Sequence, residues 1–355
     1  MNHKAWVRGL LTMLVVSVVI WITITVIVDP YFHYHKPMES LSYRLYYERY
    51  INDGIARHFD YNAMIVGTSM TQNFKTTDLE GLYGVDAIKT PFQGAGYEEL
   101  SQFTMRALEY NEDIELIVRA VDLNGLTNEA GWQNYTEYPD YLYDDNIWND
   151  IQYTLDKNVM YQGVFSTFIR TIQGLESTTF DEYSSTNVEV GYAFDFEAGV
   201  PLDTRPASRE ITEEEIYNVI YNVEYYLIPA IEAYPDVEFL LFFPPYNIEY
   251  WNAMSEIGDI DVEYAAMMLT AERLLNYPNV SLYYYYDQYE LVRDLSQYLD
   301  RLHYGSHINT QILEWMYEGT GLLTLENYQT ILEQDRIFYT EYNYLAVPEV
   351  NESVE

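Results

Sequence analysis

The chain has 355 residues, with 56 Asp and Glu against 18 Lys and Arg and a formal net charge of −38. That balance excludes nucleic acid as a partner, because nothing basic remains to neutralise phosphates, and it opposes lying flat on an anionic lipid surface. There is no cysteine, so disulfides are excluded, stability has to come from packing, and cysteine usage says nothing of the compartment.

Residues Gly9 to Val28 are twenty in a row without a charge, enough at 1.5 Å per residue to cross the ~30 Å hydrocarbon core of a bilayer. Lys4 and Arg8 precede the run, while Asp29 and a mostly acidic chain follow. The expected topology is a cytoplasmic N-terminus, residues 1–8, and an extracytoplasmic remainder. A cleavable signal would have an apolar core of only ~7–15 residues and a small-residue cleavage site. Here VDPYFHYHKP follows instead, so the run reads as an uncleaved single-pass anchor in the cell membrane. Tyr31, Phe32 and Tyr34 suit the headgroup level, with His33 and His35 in the same belt rather than in a metal site.

Residues 29–60 form a juxtamembrane connector that turns helical through SLSYRLYYERYINDGIARHF. The rhythm then changes. Ala63 to Val66 is a short apolar run bounded by Asn62 and Gly67, as in a buried parallel strand. A second strand, Asp86 to Thr90, leads to Pro91 and the Gly94-Ala95-Gly96 turn. Helical spacing returns over Glu98 to Tyr110, followed by a strand from Ile114 to Val121. This alternation predicts βαβ units and a parallel sheet between helix layers.

Residues 126–210 interrupt the pattern with clusters of Tyr, Asp, Asn, Gly and Ser around one helix, Asn146 to Gln173, closed by Gly174. Their aromatic content favours an ordered insertion. Thr212 and Glu215 then make a capping box that opens a helix through Ala233. A strand Val237 to Phe243, a helix Val262 to Asn276, a strand Val280 to Tyr286, and helices Asn309 to Glu318 and Leu325 to Tyr342 complete a domain over residues 61–345, with a tail at 346–355. Tyr is abundant at 39 residues; such rings suit sugars or protein partners, and equally a generic aromatic core.

Three loops follow the C-terminal ends of strands, where open parallel sheets form their ligand crevices. Gly67-Thr68-Ser69-Met70-Thr71 presents a serine on a tight turn, without the second glycine of a nucleophile elbow. The Gly94-Ala95-Gly96 turn offers backbone N–H groups to a developing oxyanion. In Asp300-Arg301-Leu302-His303 a carboxylate three residues before a histidine can orient the imidazole to accept a serine proton. His303 and His307 are four apart, but Gly305 lies between them and no third ligand is evident, so zinc is not expected. His58, just before the first strand, is assigned equally to the site or to a structural hydrogen bond.

Taken in order, the Ser block, the Gly turn, Asn124 after the third strand and the terminal D-x-x-H resemble the blocks of the SGNH/GDSL hydrolase superfamily. The G-x-S-x-T signature stands as GTSMT at 67–71. The likeness covers about residues 61–310, and is nearest to membrane-anchored SGNH-like proteins of Gram-positive bacteria, in which a segment such as RHFDYNAMIVGTSMTQNF directly follows a single span. It implies a three-layer, flavodoxin-like α/β fold and serine esterase or O-acyltransferase chemistry without metal or cofactor. By position, Ser69 would be the nucleophile, His303 the base and Asp300 its orienting acid. The N–H groups of Ser69 and Gly94, with Asn124, would form the oxyanion hole. Thr68 replaces the Asp of G-D-S, and the third block reads Val121-Asp122-Leu123-Asn124. Asp122 is the other candidate there, but an ionised carboxylate cannot donate to an oxyanion.

The resemblance and the anchor together imply action on acyl esters of cell-surface glycopolymers, with the 126–210 insertion building the acceptor groove. The alternatives are a catalytically silent SGNH-fold protein that binds a wall polymer or an assembly partner, and a scaffold that uses its acidic, Tyr-rich face.

Overall fold

The short apolar runs resolve into one sheet of six strands in a computed structural model that describes residues 3–135, 138–144, 146–186 and 201–345, with Asn124 described by its backbone alone. The strands are β1 (Ala63–Gly67), β2 (Ala87–Pro91), β3 (Leu116–Ala120), β4 (Glu238–Phe243), β5 (Val280–Tyr284) and β6 (Leu322–Leu323). Their order is β2-β1-β3-β4-β5-β6. The first five run parallel, and β6 pairs antiparallel with β5 through Leu323 opposite Leu282. All residues of β1, β2 and β3 are buried, the burial pattern of strands covered on both faces. This is the expected flavodoxin-like α/β order, 2-1-3-4-5, with an added edge strand.

The order also dictates the layers. From β1 the chain crosses one way to β2 and then back past β1 to β3, so right-handed crossovers put the two connecting helices on opposite faces. Helix Thr76–Tyr83 belongs to one face and packs with Ser306–Glu318; Tyr97–Tyr110, Glu213–Tyr226, Ile260–Leu274 and Tyr328–Glu341 form the other layer. The Thr212 capping box is present, with the Thr212 hydroxyl accepting from the Glu215 N–H and the Glu215 carboxylate from the Thr212 N–H. The helix it opens stops at Tyr226, and a second one, Ile228–Ala233, restarts with Pro229 in its first turn. Proline cannot supply the N–H that a continuous helix would need there.

Tyrosine fills the interior on one side of the sheet. Trp251 stacks on Tyr264 at 5.2 Å and on Tyr339 at 4.5 Å between ring centroids. Three of the buried hydroxyls find partners: Tyr284 donates to Asp335 (2.7 Å), Tyr339 to the Tyr286 carbonyl (2.6 Å) and Tyr298 to the Pro245 carbonyl (2.9 Å). Each of these three rings contributes a large buried apolar area while its hydroxyl stays satisfied.

The chain divides into two units, one of Met1–Asp60 with Thr136–Tyr183 and the other of Tyr61–Tyr135 with Ser184–Glu355. The sheet belongs to the second. The first begins with the helix His3–Val28, long and apolar enough to cross a membrane. Asp29 ends it in a left-handed turn and accepts the N–H groups of His33 (3.0 Å), Tyr34 (2.7 Å) and His35 (3.0 Å) and the Tyr153 hydroxyl (2.8 Å). The histidines have local partners: His33 Nε2 lies 3.2 Å from Asp150, and His35 Nδ1 2.7 Å from the Lys36 carbonyl. The single helix expected over 146–173 is three pieces: Ile151–Leu155, a wider turn at Val159–Val164, and Phe165–Ile172. Asp156 makes the break. Its backbone is extended and its carboxylate accepts the N–H groups of Asn158 and Val159, opening the next helix instead of continuing the last. The tail at 346–355 lies outside the described residues.

Candidate active site

Except for His58, the groups described below belong to the second unit. β1 delivers Ser69 through the turn that the sequence GTSMT requires. Thr71 folds back so that its hydroxyl donates to the Thr68 carbonyl (3.0 Å). A Cβ on residue 67 would stand 2.6 Å from the Thr71 methyl, so the glycine and the threonine of the signature fit each other. Ser69 opens a single 3-10 turn, Ser69–Thr71, and is half-buried. Behind it the buried Lys89 of β2 donates Nζ to the carbonyls of Gln72 (2.6 Å) and Phe74 (2.9 Å), pinning the chain that leaves the turn.

The histidine comes from the far end of the domain. His303 Nε2 is 2.8 Å from Ser69 Oγ, and His303 Nδ1 is 2.7 Å from Asp300 Oδ2. The other oxygen of Asp300 accepts the N–H groups of Leu302 and His303, both at 2.8 Å. D-x-x-H is thus a closed local ring in which the loop's own backbone fixes the carboxylate that fixes the imidazole. The loop is tied back to the end of β4 by Asn247, whose Nδ2 donates to the Asp300 carbonyl (2.8 Å) and whose N–H donates to that of Arg301 (3.2 Å). Asn247 is fully buried and also caps the helix Ile248–Ile257. The only sequence signal for it is its position just beyond a strand end.

Charge follows geometry. The hydrogen bond that His303 donates to Asp300 raises the His303 pKa above an ordinary histidine against the opposing effect of burial, and the negative charges of Asp300 and Asp122 add to the rise. Burial pushes the Asp300 carboxyl up, but its bonds to the His303 ring and to the loop N–H groups outweigh this and hold it below the usual carboxylate range.

The third block contributes a residue the sequence argument set aside. Asp122 follows β3, and its carboxylate accepts the Thr68 hydroxyl (3.0 Å) on one oxygen and the Tyr246 hydroxyl (3.2 Å) on the other. Burial raises its pKa; the two hydroxyls and the charges of His303 and Arg119 pull it back only in part. Arg119 of β3 is buried, and among the described residues its Nε and Nη2 have no hydrogen-bond partner. Its pKa is lowered to about 10 by burial, with Tyr97 and Asp122 opposing.

Gly94 adopts φ +67°, and a Cβ there would lie 2.7 Å from the Asn134 carbonyl oxygen. Only glycine accepts both conditions. Phe92 N donates to the Gly67 carbonyl (2.8 Å), so the Gly94 turn adjoins the Ser69 turn at the same sheet end. Asn124 lies in the short helix Leu123–Leu126 after β3, at that same end, with its side chain outside the described residues. Asn222 clamps this segment by donating to the carbonyls of Gly125, Leu126 and Asn128. His307 takes no part: its Nε2 is 2.6 Å from Gln297 Oε1. Among the described residues no three His, Cys, Asp or Glu side chains gather as metal donors. His58 ends the helix Glu48–His58 of the other unit, where burial lowers its pKa.

No family model matches the chain, and no curated protein matches it. A solved structure from Streptococcus pneumonia, provisionally described as a platelet activating factor, is similar over 77% of this chain and 91% of its own, with 12% identity and a TM-score of 0.40. At that level of likeness, the geometry of the site has to carry the functional argument.

Proposed function

We propose that the chain is a serine esterase or O-acyltransferase of SGNH type, anchored by its N-terminal helix and acting outside the cytoplasm on acyl esters of cell-surface glycopolymers. The observation that carries this is the relay from Ser69 Oγ to His303 Nε2 and from His303 Nδ1 to Asp300, unbroken at 2.8 and 2.7 Å. Ser69 Oγ attacks the ester carbonyl while its proton passes to His303, and the imidazolium then protonates the departing alkoxide. Water or a sugar hydroxyl next gives its proton to His303 and takes the acyl group, and His303 returns that proton to Ser69 Oγ as the acyl–serine bond breaks. The N–H groups of Ser69 and Gly94, with the Asn124 amide, are our candidates for the oxyanion donors.

A fluorophosphonate probe tests this directly, because only an activated serine reacts. Labelling of the wild type that disappears in Ser69→Ala is the expected result. An unlabelled but folded wild type would favour a silent polymer-binding protein, a reading that draws on the carboxylate of Asp122 in the third block. A reporter fused after residue 355 should be active only outside the cytoplasm if the anchor is oriented as proposed.

A further inference from the structure

The exposed apolar side chains of the first unit continue from the His3–Val28 helix onto the segment 147–175. Trp148 is 86% exposed and Ile172 85%, and Ile151, Tyr161, Phe165 and Ile169 join them. Tyr161, Phe165, Ile169 and Ile172 recur at helical spacing, so they form one stripe. The opposite side of the same helices is occupied: Met160 and Val164 pack on Val28, with Trp21 and Ile24 against them. A Cβ at Gly163 would come within 2.6 Å of the Pro30 ring, so the segment is pressed onto the end of the long helix. Thr25 adds a hydrogen bond to the Thr154 carbonyl (3.4 Å). The contacts on the long helix run from Trp21 to Val28, about 10 Å of its axis at 1.5 Å per residue.

We infer that residues 146–175 form a second membrane element, an amphipathic collar whose apolar stripe lies in the lipid interface of the leaflet at the C-terminal end of the His3–Val28 helix. This rests on reading that helix as a membrane span. The occupant follows from continuity, because the stripe begins beside a helix whose own exposed surface faces lipid in that reading. Its depth agrees as well, since interfacial helices bury an apolar face ~5–10 Å below the headgroups, with Trp and other aromatics at that level. The chain's large negative charge does not oppose it locally: between 146 and 175, Asp150 and Asp156 are balanced by Lys157 and Arg170. Two attachments on one unit would hold it at a fixed height and rotation on the membrane, which a single span does not do.

The absence of cysteine makes the test simple. Single-cysteine variants W148C, F165C and I172C carry an environment-sensitive fluorophore in the full chain, one copy per zwitterionic nanodisc with nitroxide lipids. L14C reports the span, and Y317C is the water-exposed reference. All of these sites are exposed, so the labels leave the packed faces untouched. Labels at 148, 165 and 172 should be quenched several-fold more than at 317 by shallow nitroxides, and the label at 14 by deep ones. Quenching at 14 with none above the reference in the collar overturns the inference and leaves the span standing; no quenching at 14 overturns both. Shielding of the collar only when two copies share a disc would make it a self-association surface and equally overturn the inference.

Discussion

Thr68 donates its hydroxyl to Asp122 at 3.0 Å, joining the residue beside Ser69 to the residue that follows β3. Because the same hydroxyl accepts the Met70 N–H (3.3 Å), one side chain both shapes the serine turn and fastens it to a neighbouring strand end. Thr68→Val should therefore lower the unfolding free energy by ~1–3 kcal/mol, for a half-buried carboxylate left short of a donor, and reduce turnover. Asp122→Asn removes a negative charge that raises the His303 pKa. Its pH–rate profile should move toward lower pH, and an unmoved inflection would show that Asp122 acts only through geometry.

Ser69→Ala and His303→Ala should each cost ~10³-fold or more in kcat, and the double variant little beyond either alone, because members of such a relay act as a unit. Hydrolysis of a chromogenic short-chain ester measures this. Wild-type rates in Ser69→Ala would end the catalytic reading.

A neutral His303 is required to take the serine proton, and its pKa lies above the ordinary 6.5 because of Asp300. Activity should rise with pH through an inflection above that value, and Asp300→Asn should shift the inflection down while lowering the rate. The stability contribution has the opposite sense. A histidine raised on folding stabilises most below its unfolded pKa, and that part is lost as pH rises through the folded value. Asp300, lowered on folding, contributes stability above its unfolded pKa that disappears as pH falls through the folded one.

Glu263, buried in the helix Ile260–Leu274, has a carboxyl pushed up to about 7 by burial. The folded state then holds a proton that the unfolded state releases near 4.5, so stability falls as pH rises between the two. Glu263→Gln should raise the unfolding free energy at pH 8 by no more than about 3 kcal/mol, at ~1.4 kcal/mol per pH unit, seen as a higher melting temperature. The gain should fade below the unfolded value. A gain of equal size at every pH would mean that packing rather than ionisation explains it.

The two ends of the relay were legible in the sequence because each is a local device. The clash between a Cβ at 67 and Thr71 makes G-x-S-x-T a geometric statement, and the Asp300 ring closes within four residues. The supports around them were not legible, since Lys89, Tyr246 and Asn247 act on segments brought near only by the sheet order. The helix Ile248–Ile257 went unseen for a different reason. Ile248 through Asn252 are all buried, so no amphipathic rhythm marks it. In the first unit Asp156 turned one expected helix into pieces by capping, an effect that apolar spacing does not register.

The antiparallel strand β6 and the stacking of Tyr339 on Trp251 both come from beyond residue 320. On the ribosome, β1 to β5 and the Ser69 turn therefore emerge before the segment that covers them. Until that segment arrives, the nascent chain carries an open row of β5 backbone donors and acceptors and an unfinished aromatic stack, the kind of edge on which a second chain can add a strand. Translation stalled or truncated near residue 320 would yield a polypeptide with the Ser69 turn made and its sheet unsealed, a substrate for holdase chaperones and quality-control proteases.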